Sequence, residues 1–174
     1  MIAAVVLAAG ASTRFGSPKQ RVLLAPVLER LRESSVDDIL VVLGAHDVDV
    51  GVRTVHCPDW GRGPGASLRC GLAALGPGVQ AAVVVLGDGP DLDPRAVDRV
   101  IAAWRATGAE RLGATYNGVR LHPLLLARSA WLGIPDAGLR DIPVEAVDCD
   151  DLSPPGDVDS ADDLSGRQPP LGAE

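Results

Sequence analysis

Aromatic residues are scarce in this 174-residue chain, at 3%, and the scarcity removes the stacking platforms on which single-strand nucleic-acid binders rely. Net positive charge is missing too. At a formal charge of -7, long-range steering repels nucleic acid and anionic membrane surfaces, so neither is an expected partner. Any bound anion must be held by local geometry, and a small ligand is the better expectation. Cysteine is sparse: Cys57, Cys70 and Cys149 are odd in number, scattered and without a CxxC pair. That usage reads as reduced thiols of a cytoplasmic protein and argues against a zinc site. No apolar run approaches the roughly twenty residues of a membrane span. The opening MIAAVVLAAGA lacks the positive n-region of a signal peptide, and its apolar run is short. Lysine is almost absent, since Lys19 is the only one among sixteen Lys and Arg residues.

What is present is a 47% hydrophobic chain long enough to bury one core. Short β-branched runs alternate with helical patterns, as expected of βαβ units and a mostly parallel sheet. Nearly unbroken apolar runs predict buried strands at 2–8, 38–44 and 81–87, with weaker candidates at 52–56, 112–116, 122–127 and 143–147. Helices are expected over 22–34, 66–75 and 94–107, the last with Asp93 as N-cap and Pro94 at its first position. A short closing helix is expected near Ser160. A single domain over residues 1–164 is expected, followed by a disordered polar tail at 165–174.

Ligands of open parallel sheets sit beyond the carboxyl ends of the strands. After the first strand comes LAAGASTRFGSPK, with Gly10, Ser12, Thr13, Arg14, Gly16 and Lys19. Small residues let backbone approach a ligand, and successive amides can cradle phosphate oxygens. The spacing is not that of a Walker loop, because five residues separate Gly10 from Gly16 and two more precede Lys19. No G-x-G-x-x-G fingerprint is present. After the run at 81–87, LGDGPDLDP puts Asp88 where a carboxylate can hold a magnesium ion between triphosphate oxygens; a plain Asp-Gly-Pro turn is the bland alternative. A third segment, DWGRGPGASLRCGL, sets Gly63, Gly65 and Ser67 ahead of a helix, either as a binding loop or as an N-cap at Ser67.

Together these segments resemble the nucleoside-triphosphate transferases related to molybdenum-cofactor guanylyl- and cytidylyltransferases. LAAGASTRFGSPK is similar to that family's L-A-A-G-x-S-x-R-x-G-x-x-K, DWGRGPGASLRCGL to its W-x-x-G-x-x-x-S-L-x-x-G-L, and LGDGP to its L-x-D-x-P. RLHPLLL resembles its G-H-P-x-L-L strand, and GDVDSADDL its closing D-I-D-T-P-E-D-L. In order and spacing the resemblance spans roughly residues 2–164.

The resemblance implies a single Rossmann-like three-layer α/β/α domain with a mostly parallel sheet, which transfers a nucleotidyl group from a nucleoside triphosphate to a small phosphorylated acceptor such as molybdopterin and releases pyrophosphate. It places the backbone of Leu7, Ala8, Ala9 and Gly10 beside the base, with Ser12 in the same nucleotide-binding loop and Gly65 and Ser67 near base and ribose. Arg14 and Lys19 would face the phosphates. Asp88 and Asp157 would hold magnesium, and His122 is a candidate acceptor contact or, equally, a structural histidine. The L-A-A-G and S-L-x-x-G-L segments favour CTP over GTP. Such chemistry depends on charge neutralisation and in-line positioning rather than on a protein nucleophile.

Several departures bear on the acceptor. The stretch KQRVLLAPVLERL is shorter than the family's, Leu121 replaces a glycine before His122, and PDAGLR only partly matches G-D-x-G-A-R. Transfer to a sugar phosphate or another small phosphorylated alcohol, and a nucleotide-binding module without transfer activity, remain as alternatives. Trp60, Trp104 and Trp131 read as packing residues. Asp148, Asp150 and Asp151 read as a solvated face, since the glycine and terminal glutamate of a calcium loop are missing.

Overall fold

The computed structural model describes residues 1–10 and 20–157. The closing helix near Ser160, the tail, and the predicted site residues Ser12, Arg14 and Lys19 lie outside the described residues. Among the described residues, no helix is long and apolar enough to cross a membrane.

Seven strands form one sheet in the order β3-β2-β1-β4-β6-β5-β7. They are β1 (Ile2–Leu7), β2 (Asp38–Leu43), β3 (Arg53–His56), β4 (Ala81–Leu86), β5 (Arg111–Tyr116), β6 (Val119–Ala127) and β7 (Glu145–Asp148). Every pairing is parallel except those of β6, which runs against β4 and β5. Among the described residues three α-helices cover the sheet: α1 (Gln20–Arg32), α2 (Pro64–Ala73) and α3 (Pro94–Thr107).

The alternation along β1 sets the layers. Ile2, Ala4 and Val6 point into one core with Leu24, Val27 and Leu28 of α1 and Val97, Val100 and Ile101 of α3. Ala3 and Val5 point into the other with Leu68 and Leu72 of α2. Both faces of the strand are therefore buried, which is why it carries no polar residue. The result is the three-layer α/β/α domain with a mostly parallel sheet expected from the sequence.

The Asp93 side chain accepts the Arg95 N–H at 2.9 Å, and Gly108, at φ 68°, closes the far end of α3. This N-cap and the bounds Pro94–Thr107 match those expected from the sequence. Helix α2 differs: it begins at Pro64, with Gly63 (φ 134°) as N-cap, so Ser67 lies inside its first turns rather than capping it. Pro64 supplies the fixed φ and missing N–H suited to a first helical position, and that outweighs the serine. Helix α1 begins earlier than expected and ends at Arg32, where the Ser34 N–H and hydroxyl both donate to the Leu31 carbonyl. Strand β6 starts at Val119, opposite Tyr116, because Asn117 and Gly118 take φ of 50° and 77° and make a tight hairpin.

The cysteines also depart from expectation. Cys57, just after β3, and Cys70, in α2, form a disulfide with a Cα separation of 5.8 Å, while Cys149 is free and buried. A separation of 13 residues conceals this proximity. It arises because the Cys57 N–H is tied to the Leu43 carbonyl at 2.7 Å while α2 folds back over β2. Thiol titration of the unfolded, unreduced chain should therefore count a single free thiol; three would contradict the pairing.

Candidate functional site

Because β1 lies between β2 and β4, the chain leaves its carboxyl end in one direction and returns to it from the other. This is the switch point at which an open α/β sheet leaves a crevice. The lip is tied laterally. Ala8 N–H donates to the Val42 carbonyl at 3.0 Å, Gly87 N–H to the Leu7 carbonyl at 2.9 Å, and Ala45 N–H to the Ala9 carbonyl at 3.2 Å. Residues 7–9 thus form a fixed ledge, with Gly10 exposed at its end.

Opposite the ledge stand the 3-10 turn η1 (Trp60–Arg62) and the start of α2. Between them lies a cavity of about 320 Å³ lined by Leu7, Ala9, Gly10, Gly63 and Ser67, with Trp60, Gly61, Pro64 and Leu86 completing the wall. Leu7, Ala9, Gly10 and Ser67 were expected here from the sequence, as was Gly63 as part of a binding loop. Trp60 was not. It packs partly against the α2-side core, and a Cβ at Gly44 would come within 2.5 Å of its ring. Its place in the W-x-x-G segment, two residues before Arg62, was the available clue. Trp104 packs against the other core, and Trp131 donates its Nε1–H to the Leu126 carbonyl at 3.2 Å.

Gly65 does not line the cavity; it lets the wall form. A Cβ there would stand 1.7 Å from the Pro135 carbonyl oxygen. Its N–H donates to the Asp136 carbonyl at 2.9 Å, while the amides of Ala66 and Ser67 turn back to the Gly63 carbonyl. The amides at the start of α2 are thus spent internally, which suits a wall for base and ribose better than a phosphate cradle.

The predicted carboxylates lie at the next carboxyl end. Asp88 is half-buried behind β4, and Asp157 is exposed. The 155–157 segment reaches this place because Asp91 N–H donates to the Pro155 carbonyl at 3.0 Å. A Cβ at Gly89 would lie 2.5 Å from His122 Nε2 and 3.3 Å from the Gly156 carbonyl oxygen. Asp88, His122 and the approach to Asp157 therefore gather around one glycine. His122 is only 6% exposed, and among the described residues neither ring nitrogen has a hydrogen-bond partner. Burial drives its pKa from the ordinary 6.5 down to about 4, against the opposing pull of the Asp88 charge. The ring is neutral at physiological pH.

The acidic run is structural. Asp151 forms a two-pronged pair with Arg99 at 2.6 and 2.7 Å, and Asp150 accepts the Asn117 N–H at 2.6 Å. Among the described residues no group of three or more His, Cys, Asp or Glu could hold a metal ion.

The family model for the MobA-like NTP transferase domain matches residues 4–142. The Rv0371c homolog from Mycobacterium sp. strain JC1 is similar in structure at 28% identity and a TM-score of 0.77, covering 95% of this chain and 93% of its own. Rv0371c from Mycobacterium tuberculosis H37Rv is similar at 31% identity and a TM-score of 0.76, with 95% of each chain covered. The same protein in complex with manganese gives 29% identity and a TM-score of 0.72, over 95% of this chain and 96% of its own. No curated protein matches the chain.

Two predictions arise from this geometry. Gly65→Ala should lower the unfolding free energy by about 1–3 kcal/mol through overpacking, whereas Gly76→Ala, where nothing lies within 4 Å, should not; equal melting curves for the two would contradict the close approach. Below pH 6.5 the unfolded chain protonates at position 122, but the folded chain takes that proton only near pH 4. Stability therefore falls as pH drops through this window. His122→Asn should flatten that part of the pH profile relative to the parent, as read by denaturant unfolding.

Proposed function

The chain belongs to the MobA-like NTP transferase domain family, and from that premise we propose that it is a magnesium-dependent nucleotidyltransferase. It would move a nucleotidyl group, with CTP favoured over GTP, to a phosphorylated acceptor of the molybdopterin type. The observation that carries this reading is the cavity at the switch point, walled by Leu7, Ala9, Gly10, Gly63 and Ser67, with Asp88 at the adjoining strand end. A base and ribose fit the small-residue walls, and the triphosphate would run toward the carboxylates.

In the proposed reaction an oxygen of the acceptor phosphate attacks the α-phosphorus. The bond from that phosphorus to the bridging oxygen breaks, and pyrophosphate leaves with the electron pair. Two anions must approach each other, so the residues work by neutralising charge and holding the line of attack. Lys19 offers a compact charge for the bridging oxygen, and Arg14 offers a planar fork for the phosphate oxygens. Ser12 is assigned to the same loop. Leu7, Ala8, Ala9 and Gly10 would border the base, with Gly65 and Ser67 setting the opposite wall.

Asp88 and Asp157 are hard oxygen donors and suit a divalent cation of the magnesium or manganese kind. The manganese complex of Rv0371c supports a divalent ion in this role. Held by these carboxylates, such an ion would supply charge neutralisation to the phosphates. The buried, unpartnered His122 nitrogens beside Asp88 support a polar occupant, and we assign His122 to the acceptor side. The proposed compartment is the cytoplasm; Cys57 has no exposed surface, so thiol exchange there would have to go through the half-buried Cys70 sulfur.

The test is pyrophosphate release by the full chain with magnesium, CTP or GTP, and either a molybdopterin-type acceptor or a sugar phosphate. Release should be fastest with CTP and the pterin acceptor. Measurable nucleotide binding without release for any acceptor would sink the enzyme reading. Asp88→Asn should lower turnover on the order of a hundredfold while leaving the fold intact; undiminished turnover at limiting magnesium would remove Asp88 from the ion's shell.

A further inference from the structure

Asp136 lies in the irregular segment after β6, outside the residues that carry the proposed chemistry, yet it is tied repeatedly to the nucleotide cavity's wall. Its carbonyl accepts the Gly65 N–H at 2.9 Å. Its Oδ2 accepts Arg62 Nε at 3.3 Å and Nη2 at 3.1 Å, and its Oδ1 accepts Arg69 Nη2. Arg69 also donates through Nη1 to the carbonyl of Ile134, just ahead of Asp136 in the same segment.

Arg62 ends η1 and Arg69 lies in α2, so one carboxylate grips both ends of the stretch holding Gly63, Gly65 and Ser67. A Cβ at Gly63 would stand 2.3 Å from the Asp136 carbonyl oxygen, which leaves no slack between the segments. Three glycines within residues 61–65 make this stretch costly to order. A wall that must be ordered only on binding would subtract that cost from affinity.

We infer that Asp136 is a positioning residue that pre-orders the nucleoside-binding wall through Arg62, Arg69 and Gly65. The inference rests on the assignment of the cavity to a nucleotide. It has a second consequence: both guanidiniums are engaged away from the cavity, so Arg62 and Arg69 are structural cations, and the phosphates are left to the loop after β1. Arg69, and then Arg62, hold the Asp136 carboxyl below the usual carboxylate range against the opposing effect of burial. The clamp stays charged throughout the neutral range.

The experiment uses the full chain and two probes, cytidine monophosphate for the nucleoside wall and inorganic pyrophosphate for the phosphate side. Asp136→Asn should weaken the monophosphate about fivefold and raise the KM for CTP similarly, while the pyrophosphate Kd and kcat stay within about twofold. Asp136→Glu keeps the charge and should recover most of the loss. Arg62→Gln, which removes one arm at an exposed position, should shift the monophosphate alone by about two- to threefold. Unchanged monophosphate affinity in Asp136→Asn, or equal weakening of both probes, overturns the clamp while leaving the proposed function standing. A parent chain that binds neither probe overturns both.

Discussion

The molecule is organised by one constraint: β1 is hydrogen-bonded on both sides, to β2 and to β4, in parallel register. A strand so placed must be apolar on both faces. It must also end where two connections diverge. The burial of Ala3, Ala4, Val5 and Val6, all at 0% exposure, and the crevice beyond Leu7 are two outcomes of the same pairing. Without it, the ledge at residues 7–9 would lose its ties to Val42, Ala45 and Gly87, and Asp88 would no longer stand beside the cavity.

The opposite wall is held differently. No strand pairing fixes η1 and the start of α2; close backbone approach, ion pairing and the Cys57–Cys70 bridge do. Polar groups at this rim are consumed in holding glycine-rich backbone, while those near Asp88 include an imidazole left unpaired. A buried polar group without a partner is costly. The structure accepts that cost at the strand end where the proposed chemistry takes place, as is common at functional sites.

The sheet's centre was legible because apolar runs such as IAAVVL and AAVVVL, short and rich in valine, suit strands buried on both faces better than core helices. The start of helix α3 was legible to the residue, since Asp93 and Pro94 each carry an independent local preference. The start of α2 was set two residues late, at 66 rather than Pro64, because proline geometry competes with the capping preference of Ser67; of the two readings of Ser67, the N-cap is the one the helix excludes. The disulfide escaped because it depends on α2 folding over β2, which no local pattern encodes. Of the site, the loops could be read as motifs. The grip of Asp136 could not, since Arg62 and Asp136 are separated by 74 residues and meet only through tertiary packing.

The central claim is that the switch-point cavity between the β1 ledge and the start of α2 receives a nucleotide whose phosphates run toward Asp88. A crystal structure of the chain with CTP and a divalent ion tests it most directly. The account predicts the base between residues 7–10 and 60–67, with the ion on Asp88. A nucleotide bound elsewhere, or a cavity left empty at saturating CTP, would contradict it.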